Sequence, residues 1–384
     1  MRLLNVIGSM DPASGGPAAW IRDFTSAARS RGHLVETVCF DAGTPPEHAA
    51  EAGVHVVAAG PGLYSSPALD RWLADRARGY DCLVGHGLWR YPSHAAWRAR
   101  RRGGPPYLLY PHGALGSWFK RRYPLKHVGK CLYWATVERR AYAGASRIIY
   151  TCEQELRDSL DAFPGMDAEP TVSPLGIPDP SRQIDLDSAA AAFRSGLPAL
   201  GGSPYVLWLG RIHPVKGCDL LLHAFGAAAP ADMHLVMAGP DPRGWGRMLA
   251  RLAQDLGIAG RVHWTGMLTG EAKWGAFRGA RLFALPSHQE NFGISAVEAL
   301  ACGVPVLVSD KVGICHELAD TYAGEVAGND AAGITSALRR CLDMDPVRQL
   351  ERAGAARRLF VERFEVGRAA DGLLRVAAEV AAGG

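Results

Sequence analysis

The chain predicts an α/β protein built from two Rossmann-like domains facing a central cleft. Three observations carry that prediction. Short apolar runs alternate with longer amphipathic stretches, the pattern of repeated βαβ units around a parallel sheet. The 384 residues exceed what one core ordinarily holds and suit two α/β domains. Between two sets of strand-like runs lies Pro178 to Pro204, where Pro178, Pro180, Pro198, Pro204, Gly196, Gly201 and Gly202 give linker composition.

In chain order, the first set of strands is expected at Leu3–Ile7, Leu34–Cys39, Val54–Val57, Cys82–Val84, Tyr107–Tyr110 and Arg147–Tyr150. The second is expected at Tyr205–Leu209, His234–Ala238, Val262–Thr265, Leu282–Leu285 and Val304–Val308. The domains then fall at 1–190 and 200–364. In doubly wound sheets ligands bind beyond the carboxyl ends of strands. The chemically informative residues sit at such ends: Gly15-Gly16, His86-Gly87, His112-Gly113, Gly210-Arg211, Gly239-Pro240 and Glu290.

Composition narrows the class. Apolar residues make up 48% and charged residues 21%, ordinary for a soluble globular chain. No run approaches the ~18 apolar residues of a membrane helix, and Leu3–Ile7 is too short for a signal-peptide core. The 8 cysteines form no Cys-x-x-Cys pair, which argues against a disulfide framework or zinc site and for a cytoplasmic location. Net charge is +4, unevenly placed. Arg98 to Arg140 holds eleven Lys/Arg against Glu138 alone, including Lys120, Arg121, Arg122, Lys126 and Lys130. Trp118, Phe119, Tyr123, Tyr133 and Trp134 are interleaved with them. Such a block predicts an anionic partner: a membrane surface, which would make the protein peripheral on the inner face of the plasma membrane, or a lipid-linked diphosphate. The competing reading is a solvated charged face. Nucleic acid is not expected, since no recognition motif accompanies the charge.

The most informative stretch is Pro286 to Pro305. Glu290 belongs to the loop after a buried strand, and Glu298 to the first turns of a helix opening at Ile294. Between them lie Asn291, Phe292 and Gly293, and free backbone N–H groups at the helix start make an anion site. One carboxylate can take a ligand's hydroxyls at the loop and the other from the helix, a layout that fits a sugar nucleotide. A second loop, Gly210 to Gly217, carries Arg211 and Lys216. Arg grips phosphate in a bidentate way and Lys adds a point charge. The Walker A ending is missing. Gly266-Met267, after a strand, could lie against a nucleobase. Gly16 opens the first helix where backbone can approach phosphate. His112, in Tyr-Pro-His-Gly, ends a strand and could bond a sugar hydroxyl, and His86 has the same character. Acidic residues do not cluster at metal-ligand spacing, so neither a metal nor another cofactor is expected.

Glu290 to Glu298, the loop of Gly210, Arg211, Lys216 and Gly217, and the following Ala-Cys-Gly-Val-Pro-Val together resemble the retaining glycosyltransferases of family GT4, with the GT-B fold. The likeness extends to the Gly-Gly loop, Pro-His-Gly, the run from Ser173 to Pro178, and Glu362 to Phe364. It implies a metal-independent, retaining hexosyltransferase of cell-surface polysaccharide assembly. The donor would be a nucleotide-diphosphate sugar, GDP-mannose for preference, and the acceptor a glycan or polyprenyl-diphosphate-linked glycan. Arg211 and Lys216 would bind and stabilise the leaving diphosphate. Glu290 would contact the donor sugar, and the amides of Asn291 to Ile294 sugar and phosphate. Glu298 would bind the ribose, His112 would lie near the transferred sugar, and Gly16 near phosphate. A last helix, roughly 365–384, would pack back on the first domain. Catalysis would be charge stabilisation of the leaving group, with a same-face substitution that needs no protein nucleophile. Other readings are a related nucleotide-sugar 2-epimerase or phosphorylase, and, outside enzymes, a non-catalytic nucleotide- or carbohydrate-binding protein.

Overall fold

A computed structural model describes residues 1–11, 16–40, 53–58, 65–116, 124–160, 162–163 and 165–383, without the side chains of 124–126. Gly15, Lys120, Arg121 and Arg122 of the predicted sites lie outside the described residues, as do Trp118, Phe119 and Tyr123. The chain forms two compact units, Met1–Pro178 with Glu365–Gly384, and Asp179–Phe364.

The first unit is built on β1 (Arg2–Val6), β2 (Leu34–Cys39), β3 (Val54–Val56), β4 (Cys82–His86), β5 (Tyr107–Tyr110), β6 (Arg147–Tyr150) and β7 (Pro170–Val172). They form one sheet in the order β3-β2-β1-β4-β5-β6-β7, with every described pairing parallel. Helices cover a parallel sheet on both faces, so its strands read as nearly unbroken apolar runs, and β4 and β5 are buried throughout. One polar residue breaks β1: Asn5, fully buried. Strand order reverses between β1 and β4, the place where such sheets open a crevice. The helix Val366–Ala382 packs on Gly16–Arg29, with Arg31 and Asp371 paired at 2.6 Å.

The second unit holds β8 (Tyr205–Leu209), β9 (His234–Ala238), β10 (Val262–Gly266), β11 (Leu282–Leu285), β12 (Val306–Ser309) and β13 (Gly324–Ala327). The order is β10-β9-β8-β11-β12-β13, also parallel, with its reversal between β8 and β11. Its core is the apolar set around Trp208, Phe225 and Leu235, all fully buried.

Three differences from the sequence reading have physical causes. β12 begins at Val306, not Val304, because Pro305 has no N–H and joins the sheet only through its carbonyl, which accepts from Phe283 N at 3.0 Å. β7 and β13 were not predicted; they are short edge strands of three and four residues with little apolar signal. The segment after Pro178, expected as the tail of the first domain and a linker, contains the helix Leu186–Gly196. Asp185 caps it, accepting from Asp187 N at 3.1 Å and Ser188 N at 3.2 Å. It packs on the helix Gly270–Arg278 in the second unit, where Gly275 meets the backbone of Ala189 and Arg278 pairs with Asp187 at 2.7 Å.

Candidate functional site

In the second unit, three strand ends meet through backbone. Gly210 N donates to Ala238 O at 3.0 Å, and Gly239 N to Gly266 O at 2.7 Å. Gly239 adopts φ +140°, and a Cβ there would overlap the carbonyl of Gly210. The loop after β8 then makes a tight turn. His213 Nδ1 accepts from Val215 N at 3.2 Å, and Gly217, at φ +63°, leads into the helix Cys218–Ala228. A Cβ on Gly217 would overlap Pro286 O, so the turn packs directly on the segment carrying Glu290. His288 N donates to Val215 O at 2.8 Å across the same contact.

Glu290 is fixed by its backbone. Its N donates to Lys311 O at 3.0 Å, and its carbonyl accepts from Gly313 N at 2.9 Å. Its carboxylate pairs with Lys216 Nζ. Arg211 is exposed and has no ion-pair partner among the described residues. Gly293, at φ +99°, starts the helix Ile294–Ala301 without a side-chain cap. The N–H groups of Gly293, Ile294 and Ser295 find no acceptor among the described residues. Glu298 lies one helical turn beyond Ile294, about 6 Å along the axis. It pairs with Lys273 Nζ at 2.8 Å. Sequence reasoning missed Lys273. It precedes Glu298 by 25 residues on another helix, and no periodicity connects the two. The order of strands brings Gly210, Arg211, Lys216, Glu290 and the open helix start to one edge of the sheet. Met267 follows β10 at that edge, 69% exposed.

In the first unit, His112 and His86 meet. His112 Nε2 and His86 Nδ1 are 3.0 Å apart, and His86 Nε2 is 3.0 Å from Asn5 Oδ1. Burial pushes the His86 imidazolium well below its ordinary range, and the neighbouring ring adds to this. Burial alone takes His112 down to about 4. Both rings line a cavity of about 300 Å³ with Gly8, Pro17 and Arg90. Gly16 begins the adjacent helix and is exposed.

The basic block divides. Lys130 holds its ammonium 4.9 Å from the Trp89 ring centre, and burial lowers its pKa, so it is not the open surface cation expected. Its helix, Pro124–Tyr133, instead exposes Val128 at 67% and Leu132 at 69%. Of Lys126 only the backbone is described. Among the described residues, no helix is long and apolar enough to cross a membrane, and no three His, Cys, Asp or Glu group to hold a metal.

Two parallel sheets with these strand ends define a GT-B protein. The glycosyl transferases group 1 family model matches residues 191–358, and the glycosyl transferase 4-like domain model residues 15–176. A D-inositol 3-phosphate glycosyltransferase of Streptomyces bingchenggensis is 30% identical over 331 residues, 81% of this chain and 69% of that protein. Its namesake in Mycolicibacterium smegmatis is 31% identical over 72% of this chain, and the match spans 62% of that relative's length. The crystal structure of Anabaena HepE in complex with UDP and glucose superposes with a TM-score of 0.76 at 18% identity, covering 99% of this chain and all of the other. The chain belongs to the GT4-type glycosyltransferases.

Proposed function

We propose that this protein transfers a hexosyl group from a nucleotide-diphosphate sugar to an acceptor hydroxyl, retaining configuration and using no metal. The observation that carries the reading is the cationic loop of Arg211 and Lys216 set against Glu290 and an uncapped helix start. A diphosphate needs several convergent donors, and here two side-chain cations and three N–H groups without an acceptor among the described residues share one sheet edge. Lys216 pairs with Glu290, so donor phosphate takes the place of a carboxylate and the cation need not be desolvated afresh. As the diphosphate leaves, these groups stabilise its growing charge. The Glu290 carboxylate, released from Lys216, accepts from the sugar hydroxyls. Glu298, steadied by Lys273, takes the ribose hydroxyls. Gly210 and Gly266-Met267 give a backbone edge for the base, Gly16 approaches phosphate, and His112 takes a substrate hydroxyl.

The donor base assigned first is uridine, in preference to the guanosine of GDP-mannose, because the similar HepE was solved with UDP. For the acceptor, the relatives' name favours a phosphorylated cyclitol. The basic block with exposed Val128 and Leu132 favours a lipid-linked glycan of surface polysaccharide at an anionic membrane. Calorimetry with UDP-, GDP- and ADP-sugars in EDTA tests the donor site, and turnover with inositol phosphate or a lipid extract tests the acceptor. Binding of one nucleotide class with transfer to either acceptor is the expected result. Binding without an acceptor product would indicate a 2-epimerase or a binding protein, and no binding with or without magnesium would refute the donor site.

A further inference from the structure

Three residues, on or just beyond three neighbouring strands, form a hydrogen-bonded line that ends at the cavity of the first unit. β1 lies between β2 and β4, and β4 between β1 and β5. Asn5 sits within β1, fully buried, and His86 closes β4 at 3% exposure. His112 stands two residues beyond β5. The Tyr110 ring clamps the pair: the three rings stack with centroids 5.1 to 5.4 Å apart and planes within 15°. His112 holds φ +52°, a left-handed conformation strained for a residue with a Cβ and maintained only where the surroundings over-determine it. One such restraint is the next amide: Gly113 N donates to Glu155 Oε1 at 2.6 Å.

The donors along the line follow from its first member. An amide oxygen only accepts, so Asn5 Oδ1 obliges His86 to carry its proton on Nε2. Neutral His86 then has a lone pair on Nδ1, which obliges His112 to donate from Nε2. The remaining nitrogen, His112 Nδ1, is left with a lone pair and no partner among the described residues. We propose that Asn5 and His86 are positioning residues that fix the His112 proton on Nε2, so that its Nδ1 accepts a hydrogen bond from a substrate hydroxyl.

The inference deepens the transferase reading above and rests on it for the identity of that hydroxyl. It assigns the two anion-handling jobs differently: charge recognition belongs to Arg211 and Lys216, hydroxyl recognition to His112. The surrounding charges agree. Arg90 lines the same cavity and offers neither ring a negative charge. Glu155 is the near carboxylate, but its Oε1 accepts from Gly113 N and its Oε2 from Thr151 N and Oγ1. Tyr110 is buried and its phenol is held far above its ordinary range, so it stays neutral. The Asn5 amide is the switch. Turned by 180°, it would donate to His86 and every proton on the line would reverse, making His112 Nδ1 a donor. Buried Asn5 Nδ2 has no partner among the described residues, so the amide is held only through its oxygen.

The experiment is nitrogen NMR of the whole ligand-free chain labelled in histidine, which reads the protonated nitrogen of each ring directly. The expected spectrum has His112 neutral, protonated on Nε2, and unchanged from pH 8 to about pH 5, against an ordinary titration near 6.5. His112 protonated on Nδ1, or titrating near 6.5, overturns the proposal whatever the enzyme does. Two variants separate positioning from folding. His86→Gln keeps an acceptor for His112 and is expected to hold kcat/KM within about threefold, whereas His86→Leu loses at least tenfold and its His112 signals report a mixture of Nδ1–H and Nε2–H tautomers. Equal losses in both variants, with His112 still protonated on Nε2 alone, would reduce His86 to a packing residue. Should the wild-type chain turn over no nucleotide sugar, the transferase reading fails while the tautomer result stands.

Discussion

The two units treat polar groups in opposite ways. In the second, charges stand in pairs near the surface: Lys216 with Glu290, their side chains 19% and 20% exposed, and Lys273 with Glu298. In the first, the groups around the cavity and beneath it are buried, and burial works against charge. His86 and His112 are held neutral, and the wholly buried Glu138 has its pKa raised to about 7. The difference teaches what each region can bind. Paired surface charges exchange partners cheaply, since an incoming phosphate replaces a carboxylate at little desolvation cost. Buried neutral groups cannot meet phosphate that way, but they keep a proton in one place and so discriminate hydroxyl geometry.

The largest expected effect lies on the charged side. Arg211→Ala and Lys216→Ala should each lower kcat about 100- to 1,000-fold, the loss seen when one preorganised electrostatic donor is removed. Wild-type turnover in either variant would break the contrast at its stronger end. Next comes Glu138 on the neutral side, where Ser93 Oγ donates to Oε1 at 2.7 Å and the Trp89 backbone also supplies a hydrogen bond. Because burial raises its pKa from 4.5 to about 7, the folded state holds a proton through that window that the unfolded state has released. Stability therefore falls as pH rises from 4.5 to 7, by about 3 kcal/mol at most. Urea unfolding of Glu138→Gln should match wild type near pH 4.5 and exceed it at pH 8; parallel curves would show the carboxyl to be solvated.

A smaller effect tests the backbone under the charged loop. Gly239→Ala should cost about 1–3 kcal/mol of stability, since φ +140° and the overlap with Gly210 O both exclude a Cβ. Thermal unfolding unchanged from wild type would mean that the strand ends can separate freely. The smallest change is expected for Lys273→Met, which leaves Glu298 without its partner at the edge of the site. We expect a several-fold rise in donor KM with kcat kept, the mark of binding lost equally in ground and transition states. A fall in kcat instead would move Lys273 from the ribose end toward the reaction centre.

Much of this was legible beforehand. The strands Tyr107–Tyr110, Tyr205–Leu209, His234–Ala238 and Leu282–Leu285 fall where apolar runs end at glycine or proline, because a strand buried on both faces must be largely apolar. Loops rich in glycine and cations, and the run from Glu290 to Glu298, stood out by residue type. The edge strands Pro170–Val172 and Gly324–Ala327 gave no such signal, being half-solvated and short. The helix Leu186–Gly196 was hidden behind prolines that only bracket it, although its Asp185 cap is written in the sequence.

By itself, then, the amino-acid order determined the alternation of strand and helix and the stock of cations, carboxylates and imidazoles at strand ends, since these depend on local periodicity and side-chain chemistry. Only the tertiary structure decided which of them pair: Lys216 with Glu290 across 74 residues, Lys273 with Glu298, and Asn5 with His86 across 81. Strand order sets those meetings, and strand order is fixed by packing between segments far apart in the chain, which no local pattern records.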